Sequence, residues 1–276
     1  MTASIAPAQA WSTVASAWDV NADYVDDHSI PATDRLLEQV AVQPGDRVLE
    51  LAAGPGTLSA VWSRLAGPTG TIVVSDVAPG MVEVAGRRAA ALGNVETAVV
   101  DASAIDRPDA TFDVVASRMG LMFTPDPAVA LGEIFRVLRP GGRMGALTWG
   151  GIEHNPWMTC VGMAAMMTGL VAGEPPTGPG GIFSLADPAR LQLISSGAGF
   201  VDVAVEVIAV SFRSDSVDAH IDRVSALAGP LAGVLQAASP DQRAAFRQTA
   251  SDLVAPYVTN GGVEIPGQAI LTFGRR

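Results

Sequence analysis

From residue 46 onward the chain alternates short continuous apolar runs with stretches of helical periodicity. Val48 to Leu51, Thr71 to Val74, Val95 to Val100, Phe112 to Ala116 and Arg143 to Thr148 read as strands. Between them, Thr57 to Leu65, Ala78 to Leu92 and Pro127 to Leu138 read as helices, the last stopped by Pro140-Gly141-Gly142. Runs such as Ile72-Val73-Val74 and Val114-Val115-Ala116 lack in–out alternation, as expected of strands covered on both faces. Five strands alternating with helices predict a mostly parallel, doubly wound α/β sheet.

Upstream, Trp11, Val14, Ala15 and Trp18 fall at helical spacing and predict an amphipathic helix over Ala6 to Tyr24. Pro31, followed by Thr33 and Asp34, starts a second helix that runs to about Ala41. The pattern breaks after Trp149. Residues 150 to 186 are rich in Gly, Pro and Met. The row of Met158, Met163, Met166 and Met167 suits either an adaptable apolar pocket or a cap helix packed on the core, with Cys160 as a small buried hydrophobe. Periodicity returns with helices near Pro188 to Ser196, Val217 to Ala228 and Pro240 to Ala255. Strands are predicted at Val201 to Val210 and Gly267 to Phe273.

Composition narrows the function. Hydrophobic residues make up 49% and charged residues 16% of the 276, enough apolar content for a large core. All seventeen basic residues are arginine, and the net charge is −11, so nothing supplies the basic face that nucleic acid or an anionic membrane requires. The longest apolar stretch, Met158 to Ala172, would reach only ~22 Å as a helix, short of a ~30 Å bilayer core. The start of the chain does not read as a signal peptide, and a cytoplasmic protein is expected. A lone cysteine and the dispersed His28, His154 and His220 offer no metal-ligand spacing.

The chemistry concentrates where the first strand meets a glycine turn, Val48-Leu49-Glu50-Leu51-Ala52-Ala53-Gly54-Pro55-Gly56-Thr57. Gly54 and Gly56 let backbone approach a ligand, and the helix start beyond offers free N–H groups to an anion. Asp76 ends the next strand. It reads as an acceptor for both hydroxyls of an adenosyl ribose, or as a solvated acid capping the next helix. A nicotinamide cofactor fits these features too. Against it, Ser59 stands where a dinucleotide fingerprint has its third glycine, and Asp101-Ala102 follows the third strand, placed for an adenine amino group.

Five segments carry a resemblance. V-L-E-L-A-A-G-P-G (Val48 to Gly56), V-V-S-D (Val73 to Asp76), V-D-A (Val100 to Ala102), F-D-V-V-A-S-R (Phe112 to Arg118) and L-R-P-G-G-R (Leu138 to Arg143) resemble the class I S-adenosylmethionine-dependent methyltransferases. The likeness is to the small-molecule branch of quinone-biosynthesis and natural-product enzymes. It implies a Rossmann-like doubly wound sheet of seven strands, mostly parallel with an antiparallel last strand, plus a helical N-terminal segment and an inserted lid. The implied division is a cap at 1–42, a cofactor-binding core at 43–150, a lid at 151–186, and completion of the sheet with substrate-side helices at 187–276.

By the same resemblance, Glu50 and the backbone of Ala52, Ala53, Gly54 and Gly56 lie beside the methionine part of the cofactor. Asp76 holds the ribose, Val77 and Met81 flank the adenine, and Asp101, Ala102 and Ser103 meet its edge. Ser117 and Arg118 face the methionyl end or the substrate, although the family often has an acidic or amide residue there. The cofactor implied is S-adenosylmethionine, leaving as S-adenosylhomocysteine, with no metal. The partner is a small acceptor, without nucleic acid or a membrane span, and a homodimer is admissible.

Methyl transfer is in-line displacement with a neutral thioether leaving group, so the protein chiefly aligns the reactants and excludes water. A hydroxyl or phenol nucleophile gains from a base. The segment after the fourth strand, Met119 to Phe123, holds no histidine, which leaves His28 and His154 as candidates or as loop histidines without a chemical role. His220, on a predicted outer helix, reads as structural. Residues 1–30 and 150–186 are expected to form a mobile lid. A member of the fold that binds the cofactor without transferring methyl, and a nicotinamide-dependent oxidoreductase, are the competing readings.

Overall fold

The computed structural model describes residues 7–276. Residues 1–6, including Ala6 at the expected start of the first helix, lie outside the described residues. Helices α1 (Pro7–Thr13), α2 (Ala15–Val20) and α3 (Ala22–Val40) precede β1 (Arg47–Leu51). There follow α4 (Ser59–Ala66), β2 (Thr71–Asp76), α5 (Pro79–Ala89), β3 (Val95–Val99), β4 (Phe112–Arg118), α6 (Pro127–Val137) and β5 (Leu138–Trp149). The remainder holds α7 (Pro156–Met167), α8 (Pro188–Gly197), β6 (Val201–Ser214), α9 (Val217–Leu227), α10 (Gly229–Ala237), α11 (Pro240–Val254), β7 (Val258–Thr259) and β8 (Gly262–Arg275).

The strands form one sheet in the order β3-β2-β1-β4-β5-β8-β6. Strands β1 to β5 pair in parallel, and β8 lies antiparallel to both β5 and β6. The expected seven-stranded path is therefore present with its antiparallel last strand. An eighth strand, the two-residue β7 on β8, is too short for any apolar run to announce. Successive residues Val48 to Leu51, Ile72 to Asp76 and Phe112 to Ser117 are all buried. Neighbouring side chains on a strand point to opposite faces, so both faces of the central sheet are covered.

Three local expectations are corrected. Pro31 does not start a helix: α3 runs through it. Ala22, Val25, Ser29, Ala32, Leu36 and Val40 make one continuous buried stripe, and burial on both sides of the proline outweighs its lost N–H. Ser29 Oγ donates to the Val25 carbonyl at 2.7 Å, tying that turn locally. The first expected helix is instead two short ones that break before α3 begins. Helix α6 ends at Val137, ahead of Pro140, because Leu138 already pairs with Phe112 in the sheet.

Inside the segment expected as a lid, α7 buries Trp157, Cys160, Val161, Ala164 and Ala165, an i, i+3, i+4, i+7, i+8 face, in the main core. Met163 and Met167 face outward, 45% and 67% exposed, so they do not pack this helix on the core. Cys160 is buried, its Sγ donating to the Leu253 carbonyl at 3.4 Å. Helix α10 was not foreseen. Among the described residues no helix is long and apolar enough to cross a membrane.

Candidate functional site

The carboxyl ends of β1, β2 and β4 meet at one edge, with Leu51 in register with Ser117. There the chain leaves β1 through three left-handed residues: Ala52 (φ 52), Gly54 (φ 56) and Gly56 (φ 73). A side chain at position 56 would put a Cβ 2.7 Å from the Ala85 Cβ, so that glycine is sterically required. Ala52 adopts a conformation that costs an L-residue about 1–2 kcal/mol. Its methyl fits only because residue 120 is glycine: a Cβ there would land on the Ala52 Cβ. The turn is tied to β2 by Ala53 N–H donating to the Ser75 carbonyl at 2.8 Å.

Asp76 ends β2 and is 8% exposed. Its two carboxylate oxygens accept from Gly54 N–H at 3.0 Å and Ala78 N–H at 2.9 Å, which locks the side chain beside the glycine turn. Each oxygen keeps a lone pair for a further donor. Burial pushes its pKa up, against the pull of these backbone bonds. The Ala78 contact is a turn ahead of α5, whose N-cap has no side-chain cap, so the alternative reading of Asp76 as a solvated helix cap is not what the structure holds.

Glu50 is fully buried, its Oε2 without a hydrogen-bond partner, and burial pushes its carboxyl up to about 7 although Arg118 draws it down. On the adjacent strand the Ser117 hydroxyl is likewise buried and unpartnered. Buried polar atoms without partners are uncommon, and two at neighbouring strand ends mark a place where a polar ligand or water fits. Arg118 ends β4 next to Ser117. Its Nη1 lies 2.7 Å from Asp26 Oδ1, and its Nη2 donates to Thr57 Oγ1 at 2.5 Å. Thr57 Oγ1 in turn reaches Asp26 Oδ1 at 3.2 Å. Asp26, on α3, is a site residue that sequence reasoning missed.

Val77 is half-buried at the start of the next loop, and Met81 is buried in a satellite cluster with Val14, Ala15 and Val84, packed by Trp11 and Trp18. Thus α1 and α2 cover the α5 start. Gly80 N–H donates to Ser12 Oγ at 3.2 Å, and Trp11 meets Phe123 edge-on at 4.9 Å. After β3, Asp101 is exposed and accepts from Ser103 N–H at 2.8 Å, with Ala102 and Ser103 half-buried beside it.

The histidines fall elsewhere. His28 is not in a loop after a first helix but inside α3, stacked on Phe212 at 5.5 Å. Its Nδ1 lies 2.6 Å from the Tyr24 carbonyl, which can only accept, so Nδ1 is the donor in this contact. The ring borders a cavity of about 380 Å³ with Ser214, Arg223, Thr259 and Glu264; no glycine-turn residue lines it. His154 is exposed in a turn after β5, with Nε2 3.3 Å from Glu153 Oε1. His220 is fully buried in α9, its Nε2 2.7 Å from the Trp157 carbonyl, and burial depresses its pKa. The structure therefore gathers Glu50, Ala52, Gly54, Gly56, Asp76, Ser117 and Arg118 at one edge and leaves both candidate bases apart from them.

Comparison with known proteins bears on the same region. Residues 48–142 match a family model described as a methyltransferase domain. The chain is 40% identical over 111 residues to a ubiquinone/menaquinone biosynthesis C-methyltransferase, UbiE, of Teredinibacter turnerae, covering 39% of this chain and 45% of that protein. The chain spans about half the length of the curated relatives it matches. The YcgJ protein of Bacillus subtilis superposes with a TM-score of 0.60 at 20% identity, over 88% of this chain and 97% of that one. The [4+2]-cyclase SpnF superposes with a TM-score of 0.56 at 20% identity, over 96% and 95%. At that identity the two structures share the fold.

Proposed function

From the premise that this chain carries a class I S-adenosylmethionine-dependent methyltransferase domain, we propose that it methylates a small apolar or aromatic acceptor at oxygen or carbon. The observation that carries the reading is the pair of orphaned buried polar groups, Glu50 and Ser117, beside a glycine turn and a locked Asp76. Bound there, S-adenosylmethionine would supply a methyl on a sulfonium whose departure as a thioether needs no acid.

The residues divide the binding. Asp76 accepts from the ribose hydroxyls with its remaining lone pairs. Val77 and Met81 flank the adenine, and Asp101, Ala102 and Ser103 meet its edge. Glu50, Ser117 and the backbone from Ala52 to Gly56 hold the methionyl end. The protein's catalytic task is alignment and exclusion of water, with residues 1–42 as cap, 43–150 as cofactor core, 151–186 as lid and 187–276 closing the sheet. Of the two histidines, His28 has the better chemistry for a base, because its ring is held by the Tyr24 carbonyl while His154 is exposed, but it lies apart from the glycine turn and would act only if closure brings it to the acceptor. The relatives' printed role in ubiquinone and menaquinone biosynthesis supports a quinone-like acceptor.

Calorimetry should find micromolar binding of S-adenosylmethionine or S-adenosylhomocysteine; no heat at millimolar ligand refutes the reading. Hydroquinones and phenols should then release S-adenosylhomocysteine. If one does, His28→Ala should slow turnover by roughly 10²–10⁴-fold at unchanged cofactor affinity, and unchanged turnover removes the base. The likeness to a cyclase favours one second reading, a repurposed fold. Tight cofactor binding with no product from any acceptor would select it.

A further inference from the structure

We infer that Arg118 and Thr57 form the subsite for the cofactor's α-carboxylate, and that the Asp26 carboxylate holds that subsite until the ligand displaces it. The inference rests on the cofactor reading above and assigns a partner to the one part of the ligand that reading leaves without a charged contact.

The first argument is charge. The charged groups that act on Glu50 are Arg118, Asp26 and Asp76, one cation among carboxyl groups. An amino-acid tail brings an ammonium and a carboxylate to this edge. The ammonium has carboxyl groups to choose from, whereas Arg118 is the one cation of this group to meet the carboxylate. A guanidinium is the side chain best matched to a carboxylate, with several donors in a fixed plane.

The second argument is geometry. Asp26 already shows that a carboxylate fits: one of its oxygens takes Arg118 Nη1 at 2.7 Å and Thr57 Oγ1 at 3.2 Å. Thr57 follows Gly56 directly, so this carboxylate sits at the mouth of the turn. Arg118 is held there rather than swinging in solvent: its side chain is 12% exposed and it donates to Thr57 at 2.5 Å. Asp26 is the more mobile partner by its setting, 30% exposed on a helix outside the sheet.

Exchange has a structural consequence. The Asp26 contact to Arg118 and Thr57 fastens α3 to the ends of β4 and the glycine turn. A ligand carboxylate that takes the guanidinium frees that face of α3, so cofactor entry and the position of the N-terminal helices become one event. Cofactor affinity is then reduced in the wild-type chain by the work of breaking the Asp26 pair.

The test compares S-adenosylhomocysteine, which has the amino-acid tail, with 5′-methylthioadenosine, which lacks it. Dissociation constants are measured by calorimetry for the wild-type chain, Arg118→Gln and Asp26→Asn. Arg118→Gln should weaken S-adenosylhomocysteine by roughly ten- to a hundredfold and leave 5′-methylthioadenosine unchanged. Asp26→Asn should tighten S-adenosylhomocysteine by roughly three- to tenfold, again without effect on the nucleoside. The unchanged nucleoside also shows that each variant is folded at this edge. Equal loss of both ligands in Arg118→Gln makes Arg118 a brace for the turn and overturns the subsite. Weaker S-adenosylhomocysteine binding in Asp26→Asn overturns the exchange. Failure of the wild-type chain to bind either ligand overturns the cofactor reading itself, and the subsite with it.

Discussion

Replacing Gly120 by alanine tests how the glycine turn is built. Gly120 has φ −121 and ψ −35, which any L-residue can adopt, so the backbone itself does not object. The added Cβ lands on the Ala52 Cβ, with Ser117 Oγ at 3.3 Å and Ala52 Cα at 3.5 Å. Two Cβ atoms cannot rotate away from each other, so the backbone of the turn or of the segment after β4 must shift. Overpacking of this kind costs about 1–3 kcal/mol, which in a chain this size lowers Tm by roughly 2–12 °C. Ala52→Gly alone relieves about 1–2 kcal/mol of left-handed strain and loses ~0.4–1 kcal/mol to a more flexible unfolded chain, so it should be nearly neutral or mildly stabilising. With that methyl gone, the Cβ at 120 meets its nearest remaining neighbours at 3.3 and 3.5 Å, close to ordinary contact. The double variant should therefore recover most of the loss, with a coupling of about 1–3 kcal/mol between the two sites. Urea unfolding of the four proteins measures it. If the double variant is as unstable as Gly120→Ala alone, the contact between the two methyls is not the cause, and the reasoning fails.

Asp76→Ala should weaken S-adenosylhomocysteine by about 1.5–3 kcal/mol in calorimetry, the worth of hydrogen bonds to a charged group; an unchanged constant would move the ribose elsewhere. Glu50 titrates near its ordinary 4.5 when unfolded and at about 7 when folded. Between those values the folded chain holds the extra proton, so stability should fall as pH rises from about 4.5 to 7 and level off above, by roughly 3 kcal/mol in all. Glu50→Gln should abolish that slope in urea titrations, and parallel profiles for the two proteins would reject it. Hydrogen exchange in residues 7–30 and 150–186 should slow once cofactor and acceptor are bound, as a lid requires; equal rates with and without ligand would remove the lid.

The parallel core was legible because buried strands and amphipathic helices leave opposite periodicities, and the turn from Val48 to Gly56 breaks both at a fixed place. Ala52 hid its role: a non-glycine residue gives no hint of a positive φ. Helix α7 was only half legible, as one of two readings of the methionine row, for a different reason. Its outward face is also apolar, with Met163 and Met167 exposed, so the contrast between faces that announces a helix is missing. Pro31 misled because the buried stripe of α3 is made in tertiary contact. Asp26 meets Arg118 across 92 positions of sequence, and no local pattern joins them. The lone cation at the end of β4, where the resemblance leads one to expect an acid or amide, was the available signal that a distant carboxylate completes the edge.

The placement of the tryptophans makes the N-terminal cap optically visible. Of the five, Trp62, Trp149 and Trp157 are buried in the main core, while Trp11 and Trp18 are half-buried in α1 and α2. Those two indoles touch each other at 6.2 Å, and Trp18 Nε1 donates to the Leu227 carbonyl at 3.1 Å. Undocking the cap would pass only this pair into water, adding a red-shifted component to an emission band otherwise set by the core. The chain thus carries its own reporter for cap movement, one that a stopped-flow instrument can read without any label.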